Sequence, residues 1–320
     1  MRIEAKGVIF VGDPHNQSKA PGRRLDDYPR AIPEKMAFVR DMADRLGYAV
    51  VVCGDMVSKS QDSSALLLTR LGRAMRGDMP WFCLMGNHDI HEDSLTDDTT
   101  LACLEAMGLL SVFKEPGCMQ IALPGETVAL HYMPYGAEIP GELPAGPETN
   151  ILLTHADIVA KKDSGYPGAL LNPQVANCRI AVNGHVHKQQ IGQAGPGLTQ
   201  WFLPGSLARN TLDVADQAPR VLVYADGKMT SVEVPHQKDV FDMTGKMAAA
   251  KKAISVMTGA SSQFADLLKK ESNLDIKRSA DGDVLREDLS EIFEQKKVKT
   301  DVQEIVISLL DAAVEKEAAA

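Results

Sequence analysis

Five short apolar runs mark the first part of the chain, and each ends in Gly, Thr or Asn before a polar stretch. They are GVIFVGDPH, YAVVVCGD, WFCLMGNHD, NILLTHAD and RIAVNGHVH, all between residues 7 and 187. Short uninterrupted runs of this kind are typical of strands that are covered on both faces. The pattern therefore predicts five buried strands, each followed by a polar loop.

Amphipathic segments follow the first three of these runs and predict helices. The first, IPEKMAFVRDMADRLG, carries Pro33 early, and Gly47 is suited to its C-terminal cap. The second and third predicted helices are SSALLLTRLGRAMR and DDTTLACLEAMG. Strands that alternate with helices in this way are typical of βαβ units and of an α/β fold.

The pattern changes from about residue 112 to short strands separated by Gly and Pro. Three segments show this pattern: MQIALPGETVALHYMPYG, LTQWFLPGSLARN and PRVLVYADGKMTSVEVP. In the last of them, ADGK joins two runs in which apolar and polar residues alternate, so we predict a hairpin turn there. We therefore predict an α/β fold of two packed mixed β-sheets flanked by helices. The later strands are expected to form more of the second sheet.

A further change follows Pro235, beyond which the sequence lacks strand-like runs. MTGKMAAAKKAISVM, SSQFADLLKKE, DVLREDLSEIFEQ and TDVQEIVISLLDAAVEKEAAA predict helices between residues 243 and 320. In the last of these, Thr300 and Gln303 form a candidate capping box ahead of an apolar stripe. We predict a domain over residues 1–240 and a small helical C-terminal region over residues 241–320.

Length and composition indicate a soluble protein with a substantial core. The 320 residues accommodate one large α/β domain and a smaller addition. No apolar stretch approaches 18 residues, and no long apolar segment follows the N-terminus, so we expect a cytoplasmic protein without a membrane segment. The five cysteines are scattered without a CxxC pair, which favours reduced thiols.

The formal net charge of −9 argues against a surface that attracts nucleic acid everywhere. Local binding stays open, because the loop KAPGRRLDDYPR carries Lys19, Arg23, Arg24 and Arg30. A solvated surface turn is the other interpretation of that loop.

Seven potential metal ligands lie at the ends of the five predicted strands. They are Asp13 and His15 in GDPH, Asp55 in CGDM, Asn87 in GNHD, His155 in LTHAD, and His185 and His187 in NGHVH. Ligands at the carboxyl ends of such strands converge on one edge, where open α/β sheets carry their sites. Each short sequence alone is most often a turn or a partly buried histidine, but five of the eight histidines lie in these sequences: His15, His88, His155, His185 and His187. We assign no role to His91, His131 and His236.

Imidazole, carboxylate and amide ligands together suit a pair of divalent metal ions. Two ions about 3.5–4 Å apart generate a hydroxide at neutral pH and stabilise the charge that builds on phosphoryl oxygens. One carboxylate must bridge such ions. We interpret Asp55 as the bridge, because its cluster supplies a single ligand and the six other ligands divide into two groups of three. The ligand types favour Mn, Fe or Zn without choosing among them.

The order D-x-H, GD, GNH(D), H and GHxH resembles the calcineurin-like metallophosphoesterases from residue 13 to residue 187. The resemblance implies one metal ion bound by Asp13, His15, Asp55 and His187, and a second bound by Asp55, Asn87, His155 and His185. It also implies that His88 is not a ligand but faces the substrate and protonates the leaving oxygen. Two divalent ions are expected, Mn²⁺ foremost, with Fe, Zn and Mg as alternatives.

Three further features resemble the Mre11/SbcD-type DNA nucleases of this family, particularly their phage versions. A loop and one helix separate GDPH from the VVVCGD strand, PGSLARN follows the GHVH strand, and C-terminal helices follow the domain. In those nucleases such helices attach to the coiled coil of a Rad50/SbcC-type ATPase. The resemblance, which covers roughly residues 6–235, implies a DNA exonuclease or endonuclease subunit that acts in repair or recombination.

The chain differs in one respect from each of two branches of the family. MGNHD and GDMVSKS differ from the sequences typical of the protein phosphatases, which argues against that activity. Ser58 stands in place of the His or Asp that some of the nucleases carry after GD. A small-nucleotide phosphodiesterase, with the tail as a lid or a homodimer element, is the alternative enzyme. An inactive scaffold subunit of a DNA-processing complex is the non-enzyme alternative.

Overall fold

The computed structural model of the chain describes residues 1–21, 24–146, 148–162, 166, 168–211 and 214–241, and the single positions 289, 293, 303 and 307. The chain divides into two compact units. One is formed by Met1–Lys19 and Asp27–Lys238, and the other by Ala20–Asp26 and Asp239–Ala320. All the elements given below belong to the first unit.

Six strands form a first mixed sheet. In order across the sheet they are β15 (Lys228–Glu233), β14 (Arg220–Ala225), β2 (Gly7–Val11), β3 (Tyr48–Val52), β4 (Trp81–Leu84) and β5 (Ser111–Phe113). The strands from β2 to β5 are parallel, whereas β14 is antiparallel to both of its neighbours. The first three apolar runs are therefore adjacent parallel strands, as predicted.

Seven strands form a second mixed sheet. In order they are β1 (Arg2–Glu4), β6 (Gly117–Leu123), β7 (Glu126–Met133), β8 (Thr149–Thr154), β11 (Ile180–Asn183), β13 (Gln200–Leu203) and β12 (Gln190–Ile191). The strands β7, β8, β11 and β13 are parallel. The last two apolar runs, β8 and β11, lie side by side at its centre.

Alternate residues of the central strands pack in different cores, which explains why these runs are apolar throughout. In β2, Val8 and Phe10 belong to a core shared with the second sheet, to which β8 contributes Leu153. Ile9 and Val11 face the other way and pack against helices. Each central strand is thus buried on both faces, and the fold is a sandwich of two mixed sheets.

Three helices pack on the outer face of the first sheet, and all three were predicted. They are α1 (Tyr28–Leu46), α2 (Ala65–Met75) and α3 (Thr100–Ala106). Gly47 ends α1 in the left-handed conformation with a φ of 72°, and its N–H donates to the carbonyl of Ala43. The predicted glycine cap is therefore confirmed.

The strands after residue 112 belong mostly to the second sheet, but the last hairpin does not. The predicted turn ADGK is confirmed: Ala225 pairs with Lys228, and Asp226 and Gly227 both have positive φ. Its first strand, β14, pairs antiparallel with β2 and so extends the first sheet. The short pair β9 (Ile158–Val159) and β10 (Leu170–Leu171) forms a third, two-stranded sheet.

The predicted basic loop is less basic than its sequence indicates. Arg24 is buried and donates two hydrogen bonds of 2.7 Å to the carboxylate of Asp26. Arg30 forms an exposed ion pair with Glu34 at 2.7 Å. Arg23 lies outside the described residues. Two of the four basic side chains therefore pair with carboxylates, which reduces the positive charge of this loop.

The helices predicted for residues 243–320 lie outside the described residues, apart from four positions. Leu289, Phe293, Gln303 and Ile307 are helical, and the side chains of Leu289 and Phe293 are buried. In the part of the chain that is described, no helix combines the length and the apolar character that crossing a bilayer requires.

Candidate metal centre

The seven predicted ligands all follow strands that end at one edge of the sandwich. Asp13 and His15 follow β2, Asp55 follows β3, Asn87 follows β4, His155 follows β8, and His185 and His187 follow β11. Side-chain contacts link the ligands of the two sheets: His155 contacts Asp55, and His15 contacts His187. The structure therefore brings residues that are up to 174 positions apart into one cluster.

The backbone at the cluster adopts a conformation that few side chains favour. Asp13, His15, Asp55 and His185 have positive φ values of 34°, 44°, 50° and 68°. A non-glycine residue held in a sparsely populated region costs roughly 1–3 kcal/mol, and such residues concentrate at functional sites. Four of the seven predicted ligands share this property, which points to a site that the surrounding fold holds under strain.

Two glycines allow the ligand loops to approach each other closely. A Cβ atom on Gly54, which has a φ of 108°, would overlap the ring of His155. A Cβ atom on Gly86 would overlap the carboxylate and the backbone nitrogen of Asp55. The ligand loops of β3, β4 and β8 reach their present distances only because these positions lack side chains.

One group of ligand atoms surrounds the amide oxygen of Asn87. This Oδ1 atom lies 3.1 Å from His155 Nε2 and 3.0 Å from His185 Nδ1. The carboxylate of Asp55 completes the group, since its Oδ2 lies 3.3 Å from His155 Nε2. These are the four residues that the family resemblance places around one ion.

The hydrogen bonds behind these histidines orient their free nitrogens toward that point. His155 Nδ1 lies 2.8 Å from the carbonyl oxygen of Cys53, which can only accept, so Nδ1 carries a proton and Nε2 faces the cluster. His185 is turned the other way: its Nε2 lies 3.1 Å from Asp157 Oδ1, and its Nδ1 faces the cluster. Partners of this kind are typical of metal-binding histidines.

A second group of ligand atoms lies on the other side of Asp55. His15 Nε2 is 2.9 Å from His187 Nε2 and 3.7 Å from Asp55 Oδ2. Nitrogens bound to one ion at about 2.0–2.1 Å, in adjacent positions, lie about 3 Å apart. The separation of the two imidazoles therefore fits a shared ion, and the position of Asp55 between the groups fits a bridging carboxylate.

Asp13 presents a buried oxygen that accepts nothing from the described residues. Its Oδ1 accepts a hydrogen bond of 3.1 Å from the backbone N–H of His185, but Oδ2 has no hydrogen-bond partner in the described part of the chain. A buried carboxylate oxygen without a partner is costly unless a cation binds it. Together with the donor set, this oxygen fits the two-ion centre that the sequence predicts.

Burial and charge shift the pKa values of the cluster in opposite directions. Burial raises the pKa of Asp13 to about 6 against the opposing charge of His155. Burial also acts on Asp55, but the histidines around it, His155 foremost, hold its pKa well below its usual range. For His155, burial disfavours the charged form, yet Asp55 raises the pKa to about 9. A proton on His155 thus offsets the negative charge of the carboxylates, and a bound cation would replace that proton.

His88 lies next to the cluster and is held by main-chain groups. Its backbone N–H donates to Asp55 Oδ1 at 3.0 Å, and its Nδ1 lies 3.0 Å from the carbonyl oxygen of Ser58. This carbonyl therefore orients the His88 ring through Nδ1. The ring centroid is 5.0 Å from that of His15, and a ring nitrogen lies within 4.8 Å of ligand atoms of His15 and Asp55. Distance alone thus permits His88 as a ligand as well as a proton donor.

Ser58 contributes through its main chain as well as its side chain. Its Oγ donates to the carbonyl of His15 at 3.0 Å, while its own carbonyl orients His88. Ser58 stands where some Mre11/SbcD-type nucleases carry His or Asp, and here its carbonyl orients the candidate catalytic histidine. A backbone carbonyl performs this function independently of the residue type.

Sequence reasoning assigned no role to two carboxylates beside the ligands. Asp89 is buried, and its oxygens accept from the N–H groups of Gly86 and Val57, so that it joins the loops after β3 and β4. Burial raises the pKa of Asp89 to about 7, and the charge of Asp55 adds to this effect. Asp157 contacts His185. The available signal was that both stand two residues after a predicted ligand, and that carboxylates are common partners of metal-binding histidines.

The histidines without an assigned role lie in other surroundings. His131 is part of β7, and its Nε2 lies 3.0 Å from Asn150 Oδ1. The backbone of His91 forms a bridge with Ser94, and His236 Nδ1 lies 3.0 Å from the carbonyl of Val234. None of these contacts involves a predicted ligand.

A sandwich of two mixed sheets with histidine, aspartate and asparagine ligands at one edge is the architecture of a metal-dependent phosphoester hydrolase. Residues 7–189 match the calcineurin-like phosphoesterase family, which covers more than half of the chain. The chain therefore belongs to this family, whose members use dinuclear metal centres.

Two solved structures are similar to this chain. An archaeal phosphodiesterase has 10% sequence identity and a TM-score of 0.36, with 71% of this chain and 99% of that chain covered. A conserved protein from Streptococcus pneumoniae, described as a predicted phosphoesterase, has 12% identity and a TM-score of 0.31, with 72% and 99% covered. A comparison with curated protein sequences gave no significant match.

Proposed function

We propose that this protein hydrolyses phosphodiester bonds in DNA with two divalent metal ions, as the Mre11/SbcD-type nucleases that it resembles do. The observation that carries the proposal is the convergence of seven ligand side chains and His88 at one edge of the sandwich. Mn²⁺ is the ion proposed first, with Fe, Zn and Mg as alternatives, because mixed imidazole, carboxylate and amide ligands suit several divalent ions.

The side chains of the site divide into ligands and a proton donor. Asp55 lies between the group around Asn87 and the pair formed by His15 and His187. When bound, the two ions supply the nucleophile and the positive charge that phosphoryl transfer requires. With Nδ1 fixed by the Ser58 carbonyl, a protonated His88 Nε2 donates to the leaving oxygen.

Two features support a nucleic-acid substrate. The ring of Tyr135 is centred 6.0 Å from that of His185, and the residue is 39% exposed, so an aromatic surface borders the centre where a base would stack. The PGSLARN segment, which resembles the nucleases, supports the first ligand loop. Its Ser206 Oγ donates to the carbonyl of Asp13 at 3.1 Å, and its Leu207 N–H donates to that of Gly12 at 2.8 Å.

A second candidate function is hydrolysis of a small-nucleotide phosphodiester. The observation that favours it is the pairing of Arg24 with Asp26 and of Arg30 with Glu34. These pairs leave less positive charge for a long DNA backbone, while a small substrate needs little beyond the ions and Tyr135. An inactive scaffold is less well supported, because the chain keeps all seven ligands and His88.

We expect the Mn²⁺-loaded protein to cleave linear single- or double-stranded DNA and bis-p-nitrophenyl phosphate, and EDTA to abolish both activities until Mn²⁺ is added back. The physical reason is that metal ions are needed to form the nucleophile at neutral pH. Product release with each substrate is the measurement, and a cyclic mononucleotide is the comparison. Cleavage of the nucleotide without DNA would favour the second candidate, and equal turnover in EDTA and in Mn²⁺ would exclude the metal mechanism.

We also propose that the C-terminal region docks onto a partner, a Rad50/SbcC-type ATPase, and is dispensable for hydrolysis. Each proposed catalytic residue precedes residue 190, and β15 ends at Glu233. A protein truncated after Phe241 keeps the bridge between Arg24 and Phe241. We expect it to stay folded and to hydrolyse bis-p-nitrophenyl phosphate at the full-length rate, but not to co-purify with the ATPase. Insolubility of the truncated protein, or retained partner binding, would contradict this; loss of self-association would indicate a homodimer instead.

A further inference from the structure

His185 presents a different nitrogen to the cluster from that of His155. His155 uses Nε2, because its Nδ1 bonds the carbonyl of Cys53, whereas His185 uses Nδ1 and directs Nε2 at Asp157. A neutral imidazole has one N–H and one lone pair, so the group that accepts the N–H decides which nitrogen is left to bind a cation. For His185 that group is a side-chain carboxylate.

The backbone of Asp157 is held firmly although its side chain is exposed. Asn183, two residues before His185, donates from Nδ2 to the carbonyls of Ala156 and Ile158 on either side of Asp157, at 2.9 and 3.1 Å. The carbonyl of Asp157 itself accepts from the N–H of Leu170 at 2.8 Å. The Asp157 side chain is 67% exposed, compared with 13% for that of His185. A carboxylate on a fixed backbone thus stands on the outer side of the His185 ring, opposite the cluster.

We propose that Asp157 is a positioning residue for the metal centre: it accepts the Nε2–H of His185 and so directs the Nδ1 lone pair at the site shared with Asn87 and His155. A carboxylate behind a ligating imidazole fixes the ring's orientation and raises its strength as a ligand. The proposal rests on the two-ion centre of the proposed function, and it is independent of whether the substrate is DNA.

The proposal predicts a selective effect on one of two ions. Asp157 contacts His185, and His185 in turn contacts Asn87. The pair formed by His15 and His187 is the other group of candidate ligands. Loss of this kind of outer contact weakens metal affinity by about 10–100-fold. Asp157→Ala should therefore weaken one Mn²⁺ site by about this factor and leave the other unchanged. Asp157→Asn, whose amide oxygen accepts the same hydrogen bond, should retain most of the affinity.

Calorimetric titration of the full-length protein with Mn²⁺, together with electron paramagnetic resonance of the coupled ion pair, tests this. Asp78→Ala is the matched control, because Asp78 is exposed and precedes β4, at the opposite end of that strand from the ligand Asn87. Two sites in Asp157→Ala with wild-type affinities would overturn the proposal while leaving the two-ion centre intact. Equal weakening of both sites in the Ala and Asn variants would also overturn it, in favour of a general structural role. Failure of the wild-type protein to bind Mn²⁺ would overturn the proposed function as well.

Discussion

Replacing Asp55 with alanine is expected to remove both metal ions and to reduce phosphodiester hydrolysis to the level seen in EDTA. The reason is position: one carboxylate oxygen lies 3.7 Å from His15 Nε2 and 3.3 Å from His155 Nε2, so it serves both ligand groups. The other oxygen accepts the N–H of His88, which ties the candidate proton donor to the same side chain. Loss of Asp55 therefore affects every part of the proposed centre.

Metal content per chain after Mn²⁺ loading and desalting is the measurement for Asp55. Asp55→Asn is the companion variant, because it keeps the size of the side chain and an acceptor for the His88 N–H but removes the charge. If the alanine variant is misfolded, the asparagine variant still reports on the bridge. Retention of both ions by a folded Asp55→Asn protein would show that this carboxylate does not bridge them.

His88→Ala is expected to keep both ions and to lose about 10²–10⁴-fold in kcat, the usual range for a general acid. The Ser58 carbonyl contacts Nδ1 of His88, and we propose that Nε2 protonates the leaving oxygen. A group that acts only in the transition state changes kcat and kcat/KM together. A substrate with a better leaving group needs less protonation, so the loss should shrink with bis-p-nitrophenyl phosphate compared with DNA.

His91→Ala is the control for His88, because His91 lies three residues further along the same loop and contacts Ser94 through its backbone. Its metal content and kcat should equal those of the unchanged protein. Metal analysis of the His88 variant decides between its two geometrically allowed roles. A His88→Ala protein that binds one ion fewer would reassign His88 as a ligand.

The central strands could be predicted from the sequence, because burial on both faces makes them apolar throughout. The same reasoning could not find β1, whose residues Arg2–Glu4 carry no apolar run and pair with β6 more than a hundred positions away. It also could not place β14 in the first sheet, since an alternating hairpin fits either sheet equally well. Strand existence is a local property, whereas sheet membership depends on pairing between distant residues.

The candidate site also has parts that could be predicted from the sequence and parts that could not. The candidate ligands could be chosen from the sequence because metal binding demands particular side chains in short, recognisable contexts. The carbonyl of Ser58, the carbonyl of Cys53 and the left-handed backbone at Asp55 were not, because main-chain groups are the same in every residue. Asp157 is intermediate: a carboxylate two residues after a histidine is visible in the sequence, but its target in another loop is not.

The ligand groups join strands of different sheets, since Asp55 follows β3 of the first sheet and His155 follows β8 of the second. An ion bound by both groups would therefore also link the two sheets of the sandwich. A ligand that binds only the folded chain adds about 2.7 kcal/mol of stability at a hundred times its dissociation constant. In a cell short of metal, the folded chain would therefore be less stable, and a larger fraction of it would be open to proteolysis.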